Sequence, residues 1–423
     1  MLAMKLPLAT AVAMAAIMVY GAAGAGGAPA YHPRFSSVFQ AHMVLQRDRP
    51  VVVWGFNASG VSGTISVALG GRAVSATITG DHWSATLPSQ PANAIGAMLS
   101  LAVDGTVVAS LDDVVLGDVY LFSGQSNIDI PEVYAHQFDA EAQAAEESYA
   151  DEIGALTRIM IVPNQVGGIH YNSTPARELA VVPDTPPCGQ PFVNGAFVNC
   201  QTNAMRWTHA TNTTVRGFSA TAWFTGKAIR EQMAPELDRV PIGLVRSSWG
   251  GTPIQDWSPP DAVAQCPQQG QTSVSALYDW MIHPFIGIEW SAVTWYQGES
   301  NTAADGPFLG PKYYGCALPA MIQSWRKALQ APSLPFLVVE LSAYCNEHDQ
   351  HTFKTWCDQS TSSLKTVDTH LPAMRLAQSS AATLPNVYIA SAMDLGSLHP
   401  KDGSIHSDKK VALGGRLALA ASV

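Results

Sequence analysis

The hydrophobic period of this chain changes at Asp118, and the change divides the sequence into two kinds of fold. From Pro33 to Leu116 the apolar residues come in short alternating runs, Val51 to Gly55, Thr64 to Leu69, Ala73 to Ile78 and Met98 to Val103, punctuated by glycine, asparagine and aspartate. Alternation of that length between turn formers predicts half-buried strands. Residues 31–117 are therefore expected to form a small N-terminal antiparallel β domain, sandwich-like in build. Beyond Asp118 the apolar runs are continuous: VYLFSG, RIMIV, PIGLVRSS, SAVTWYQG, PFLVVELS and NVYIASAMD. Between them lie helical stretches such as Ala220 to Met233, Tyr313 to Leu329 and Asp408 to Ala421. Strands buried on both faces and interleaved with helices predict an α/β class, a doubly wound, mostly parallel sheet over residues 118–423. The ligand crevice of such a sheet lies outside the carboxyl ends of its strands. The stretch at about 132–216 is less regular. Its Pro-, Gly- and Asn-rich part, Val182 to Cys200, reads as an excursion stapled by Cys188 and Cys200.

The chain opens with one lysine, an apolar stretch and then small residues, which reads as a signal peptide over residues 1–26 with cleavage near Gly24 to Ala30. That start predicts a secreted or lysosomal protein. No later run of roughly twenty apolar residues follows, so no stable membrane insertion is expected. An oxidising compartment makes disulfides the default for Cys188, Cys200, Cys266, Cys316, Cys345 and Cys357, none of which has CxxC spacing. Asn57, Asn172 and Asn212 open sequons that make a glycoprotein possible. A formal charge of -10 with no basic patch argues against nucleic acid and anionic membranes as partners. Most of the 11 tryptophans are assigned to the core, although a sugar-binding role would also use them.

Chemistry enters at LFSGQSNIDIPE, residues 121–132, where Ser126 directly follows an apolar strand. A serine at a strand's carboxyl end, where the chain turns and backbone N–H groups are free, occupies the place of an acyl-transfer nucleophile. A serine hydroxyl needs a base, normally an imidazole. Three further segments supply the other parts that ester hydrolysis requires: SSWGGTPIQDW at 247–257, WYQGESN at 295–301 and GSIHSDKKVALGGRL at 403–417. Gly124-Gln125-Ser126-Asn127-Ile128 lacks the second glycine of the GxSxG elbow, which argues against an α/β-hydrolase.

In this order the four segments resemble the SGNH (GDSL-like) hydrolase superfamily, whose fold is flavodoxin-like, and within it the sialate O-acetylesterase family. FQAHMVLQRDRPVVVWGF, DVVLGDVY and LYDWMIHPF extend the resemblance from about Phe35 to Leu417. It implies Ser126 as nucleophile and His406 as base, because Lys410, Gly414, Arg416 and Leu417 stand at the family's spacings after His406 and not after His399. His399 and His283 are left with structural roles. Ser407 stands where the family usually has proline. The oxyanion donors implied are the Ser126 N–H, a glycine N–H from Gly250-Gly251 and the Gln297 amide. Many relatives carry an aspartate three residues before the histidine; here that position is Gly403, and Asp402 is the nearest upstream carboxylate. Asp402 as third triad member therefore stands beside a Ser-His dyad oriented by a backbone carbonyl or by Glu299. The implied reaction removes O-acetyl groups from sugars, foremost O-acetylated sialic acids, through an acetyl-serine intermediate with neither metal nor cofactor. Acetylxylan or another polysaccharide is the alternative substrate, and a catalytically silent glycan-binding protein is the alternative class. Family members continue past the terminal helix with a β-rich segment, whereas this chain stops at Val423.

Overall fold

A computed structural model describes residues 32–136, 139–163, 178–179, 192–193, 196–197, 205–233, 235–236, 238–267, 275–302, 310–343, 370–396 and 405–421. In the amino-terminal part, strands β1 (Arg34–Phe35), β3 (Val51–Phe56), β6 (Thr77–Thr79) and β7 (His82–Leu87) form one antiparallel sheet in the order β1-β3-β7-β6. Strands β2 (Val44–Gln46), β4 (Ile65–Leu69), β5 (Arg72–Ser75) and β8 (Asn93–Val103) belong to a second sheet built on β9 (Thr106–Gly124). The alternation that predicted half-buried strands is visible in β4 and β7, whose inward residues Ile65, Val67, Leu69, Trp83, Ala85 and Leu87 are buried. The run Ala73 to Ile78 is two strands rather than one. It breaks at Ala76, whose N–H turns to the Ile65 carbonyl, and the chain passes there from the sheet of β4 to that of β7.

Strand β9 carries the change of period in its own burial. Residues up to Asp113 are exposed or half-buried, and everything from Val114 to Gly124 is buried. The expected boundary between residues 117 and 118 thus falls inside one unbroken 19-residue strand. Its first half pairs with β8 and β2, and its second half is the centre of the large sheet.

That sheet runs β13-β10-β14-β9-β15-β16-β17, where β10 is Thr157–Ile161, β13 Met205–His209, β14 Ile242–Ser248, β15 Ala292–Tyr296, β16 Phe336–Glu340 and β17 Val387–Ser391. Between β10 and β13 lies a short hairpin of β11 (Phe192–Val193) and β12 (Ala196–Phe197). Every neighbouring pair from β10 to β17 is parallel, and β13 is an antiparallel edge on β10. Two helix pairs cover it: Ala220–Gln232 with Lys410–Ala421, and Pro311–Ala328 with His370–Ser379. The fold is the expected doubly wound α/β sheet with a smaller antiparallel sheet beside it. The region expected to be irregular holds a helix, Ala140–Ile153, and the strands β10 and β13. Cys188 and Cys200, with Cys345 and Cys357, lie outside the described residues.

The winding sets the crevice. From β9 the chain moves out to β10, returns to β14 beside β9, and then crosses to β15 on the other side. The carboxyl end of β9 is thus the point where the winding reverses, the place where open α/β sheets bind ligands. Below it a row of edge-to-face aromatics, Trp257, Trp295, Trp325 and Phe336, fills the core with centroids 5.8 to 6.1 Å apart. Cys266 and Cys316 form a disulfide. Among the described residues no helix is long and apolar enough to cross a membrane.

Candidate active site

Gly124 ends β9 at φ 137°, and a side chain there would put its Cβ 2.1 Å from the Tyr296 carbonyl oxygen. Only glycine fits that close approach. The backbone is gripped on both sides: the Gln125 N–H donates to the Tyr296 carbonyl at 3.1 Å and the Trp249 N–H to the Gly124 carbonyl at 3.1 Å. The chain then turns into the short helix Ser126–Asp129, so that half-buried Ser126 stands at its first position, where a backbone N–H has no acceptor within the helix. Its Oγ lies 2.9 Å from Nε2 of His406, which precedes the helix Lys410–Ala421. With Nε2 bare, the serine hydroxyl donates along this bond, the geometry of a nucleophile and its base.

Gly250 and Gly251 follow β14 through Trp249 and so sit beside Gly124. Gly251 is exposed at φ 74° with open space where a Cβ would be. Gln297 follows β15 and is fully buried. Its amide nitrogen is within donating distance of Asn301 Oδ1 at 2.8 Å, the Thr252 carbonyl at 3.1 Å and Gln125 Oε1 at 3.1 Å. The side chain therefore ties together the turns after β9, β14 and β15, and its two hydrogens serve three acceptors. Gln297 Oε1 is buried with no hydrogen-bond partner among the described residues. Asp402, Gly403 and His399 lie outside the described residues.

The structure adds residues that the sequence did not single out. Asn127, next to Ser126, is fully buried; its amide donates to Glu299 Oε1 at 2.6 Å and to the Ile405 carbonyl at 3.0 Å. Lys410 Nζ donates to Asn127 Oδ1 at 2.5 Å and sits 5.0 Å from the Tyr296 ring centroid. Burial pushes the Lys410 ammonium down to about 7, against the pull of Glu299, and raises the Glu299 carboxyl. The carbonyl of Ile405 and that of His406, which accepts from the Tyr134 hydroxyl at 3.1 Å, are both held, so the histidine's backbone is fixed from two sides. A second buried set lies under the helix Ser126–Asp129. Asp129 accepts from the Ser248 hydroxyl and lies 3.6 Å from Arg246 Nη2. Lys410 had served only to identify His406 by spacing, and Asn127 lay unremarked inside the serine motif. Their shared signal was a buried amide and a buried cation beside one strand end, and it requires the fold to be seen.

Residues 196–422 match the carbohydrate-esterase family described as sialic acid-specific acetylesterase. The chain is similar to human sialate O-acetylesterase, 27% identical over 420 residues that make up 92% of this chain and 70% of the human protein. It is also similar to the mouse protein of that name, 26% identical over 445 residues, 92% of this chain and 72% of the relative. Among solved structures, a carbohydrate acetylesterase from Xanthomonas citri superposes with a TM-score of 0.68 at 27% identity, covering 92% of this chain and 74% of the other. A serine and an imidazole in contact at the sheet's switch point accord with that likeness, and the chain belongs to the sialic acid-specific acetylesterase family of carbohydrate esterases, carboxylic ester hydrolases that act on O-acetylated sugars.

Proposed function

We propose that Ser126 and His406 carry the esterase reaction and that the sugar is an O-acetylated sialic acid. The observation that supports the catalytic pair is the 2.9 Å contact between Ser126 Oγ and His406 Nε2 at the carboxyl end of β9. His406 takes the hydroxyl proton as Oγ attacks the acetyl carbon. The tetrahedral oxyanion is received by the Ser126 N–H, an N–H of the Gly250-Gly251 turn and the Gln297 amide. Gln297 meets this demand by turning one hydrogen from the more distant of its acceptors. Collapse breaks the bond to the sugar oxygen, which leaves with the proton from His406. His406 then takes a proton from water as it attacks acetyl-Ser126, and collapse breaks the acetyl–Oγ bond, Oγ recovering that proton from His406 as acetate leaves. Asp402 is assigned to the imidazole Nδ1–H as third triad member. Glu299, whose Oε1 is held by Asn127, acts at one remove in the dyad alternative.

The sialic acid assignment rests on the names of the family and of the mammalian relatives. Export by the amino-terminal segment into a secretory or lysosomal compartment belongs to the same reading. Turnover of Ser126→Ala and His406→Ala on a chromogenic acetyl ester tests the pair, with losses of several orders of magnitude expected in folded protein. A wild-type rate in either rejects the assignment. A panel of O-acetylated sialic acids and acetylxylan, compared by kcat/KM, tests the sugar; preference for acetylxylan would transfer the activity to plant polysaccharide.

A further inference from the structure

A cluster far from the catalytic crevice joins the first half of β9 and the loop before β2 to β10 and β13 at the edge of the large sheet. At Asp113, β9 bulges: its register against β8 shifts between Ala97 and Leu99, and Asp113 takes φ 57°. A bulge re-aims a side chain, and here the carboxylate meets groups from three other elements. His42, in the loop before β2, brings Nδ1 to 2.8 Å from Asp113 Oδ2, and His209, at the end of β13, brings Nε2 to 2.9 Å from the same oxygen. Arg158, on β10, donates to the other oxygen at 3.0 Å and to the Asp113 carbonyl. Gly96 leaves the space, since a Cβ there would lie 2.1 Å from Asp113 Oδ1.

One bond in the cluster fixes its chemistry. His209 Nδ1 lies 3.0 Å from the Gly154 carbonyl oxygen, which can only accept, so Nδ1 carries the proton. In the neutral ring Nε2 is then a bare lone pair aimed at a carboxylate oxygen, so that either a proton, which makes the ring an imidazolium, or a metal ion lies between them. A metal-bound histidine is commonly held this way, with its far N–H on a carbonyl. We propose that His42 Nδ1, Asp113 Oδ2 and His209 Nε2 bind a late first-row divalent cation, zinc foremost, which pins the amino-terminal β part to the edge of the large sheet.

The three donor atoms lie within 4.8 Å of one another. Four-coordinate zinc with bonds of about 2.0 Å separates neighbouring donors by roughly 3.3 Å, so the side chains need to open by about half an ångström. Side-chain exposures of 47% for His42 and 37% for His209 leave both rings free to do so and leave a path for the ion. Two imidazoles and one carboxylate suit zinc, copper or nickel better than magnesium or calcium. Arg158 occupies Asp113 Oδ1 and so orients Oδ2, while its charge tempers the affinity. The site stands roughly 36 Å along β9 from Gly124, at about 3.3 Å per residue, and serves structure rather than ester cleavage.

Equilibrium dialysis of the full chain against Zn2+ tests the site, comparing wild type with His42→Gln and His209→Gln. The wild type is expected to bind about one ion per chain and to melt at a higher temperature when loaded. Each variant should bind at least about tenfold more weakly and lose the thermal shift, while retained esterase turnover shows that it is folded. Undiminished zinc binding in both variants, or none in the wild type, overturns the proposal. Should a variant fail to fold, Co2+ added to the wild type decides, because ligation by this donor set gives visible d–d absorption and an unligated ion shows only the weak aquo spectrum.

Discussion

Lys410 and Glu299 are joined by one side chain, the amide of Asn127, whose oxygen takes the lysine at 2.5 Å and whose nitrogen meets the carboxylate at 2.6 Å. The same nitrogen holds the Ile405 carbonyl at 3.0 Å, so a buried cation, a buried acid and the backbone beside His406 share a single residue adjacent to Ser126. Charges removed from water are costly unless compensated, and removing one partner strands the other. Lys410→Met is therefore expected to destabilise the fold by about 3–5 kcal/mol, and Lys410→Met/Glu299→Gln to recover most of that loss. Urea denaturation of both variants is the check. Additive losses in the double variant would show that the two groups do not compensate each other.

Asn127→Ala tests the link from this network to the chemistry. Loss of the tie to Ile405 should let the imidazole drift, and a displacement of about 1 Å in a catalytic group costs roughly 100-fold in rate. The expected signature is a fall in kcat with KM little changed, measured at a temperature where the variant is folded. An unchanged kcat would confine Asn127 to stability.

Gln297 joins three turns in the structure and is assigned to the oxyanion in the reaction, and the two roles separate experimentally. Gln297→Ala should lower kcat about 100- to 1000-fold if the amide receives the oxyanion, with KM nearly constant. Steady-state kinetics alongside a melting curve distinguishes the cases. A lowered melting temperature with intact kcat would leave Gln297 as a tie between Gln125, Thr252 and Asn301 alone.

The change of pattern expected at Asp118 has its nearest counterpart four residues earlier, where β9 turns from exposed or half-buried to buried at Val114, because burial is local to a strand. The continuity of β9 across that change was not legible, since alternating and continuous runs read as separate elements when composition is the only guide. Ser126 and His406 could be named because motif spacing carries them, and they meet across the fold at 2.9 Å. Asn127, Lys410 and Arg246 act through contacts between residues far apart in sequence, and a buried polar side chain looks in a sequence like any exposed one. The His42, Asp113 and His209 cluster was hidden for the same reason, compounded by a bulge that no local pattern announces.

Glu132 supplies a pH dependence. Its side chain is fully buried, one oxygen accepts from Gln143 Nε2 at 2.9 Å, and the other has no partner among the described residues. Burial, helped by the like charges of Glu146 and Glu147, pushes its carboxyl up to about 7. Between the ordinary carboxyl value of about 4.3 and 7, the folded chain binds more protons than the unfolded one, so this group's contribution falls as pH rises through that window. The full loss is on the order of 3 kcal/mol. Glu132→Gln mimics the protonated acid and should gain on the wild type by about that amount between pH 4 and pH 8. Denaturation at the two pH values is the measurement, and a difference independent of pH would show that the carboxylate is solvated when charged.

The disulfide gives a prediction in which stability and activity part. Cys266 follows the helix Pro260–Gln265 and Cys316 lies in the helix Pro311–Ala328, with a sequence separation of 50. Between them runs β15 with the Gln297 turn, so the bridge closes a loop around one wall of the crevice. Closing a loop of that length restricts the unfolded chain by about 4 kcal/mol in the chain-entropy account, of which 2–4 is usually realised. Cys266→Ser/Cys316→Ser is expected to lower unfolding free energy by about that range. Yet Gln297 is held not only by Asn301 within the bridged loop but also by Thr252 and Gln125 outside it. Turnover at 25 °C should therefore stay near wild type while resistance to urea falls. A parallel loss of kcat in folded protein would mean instead that the bridge sets the geometry of the turn after β15.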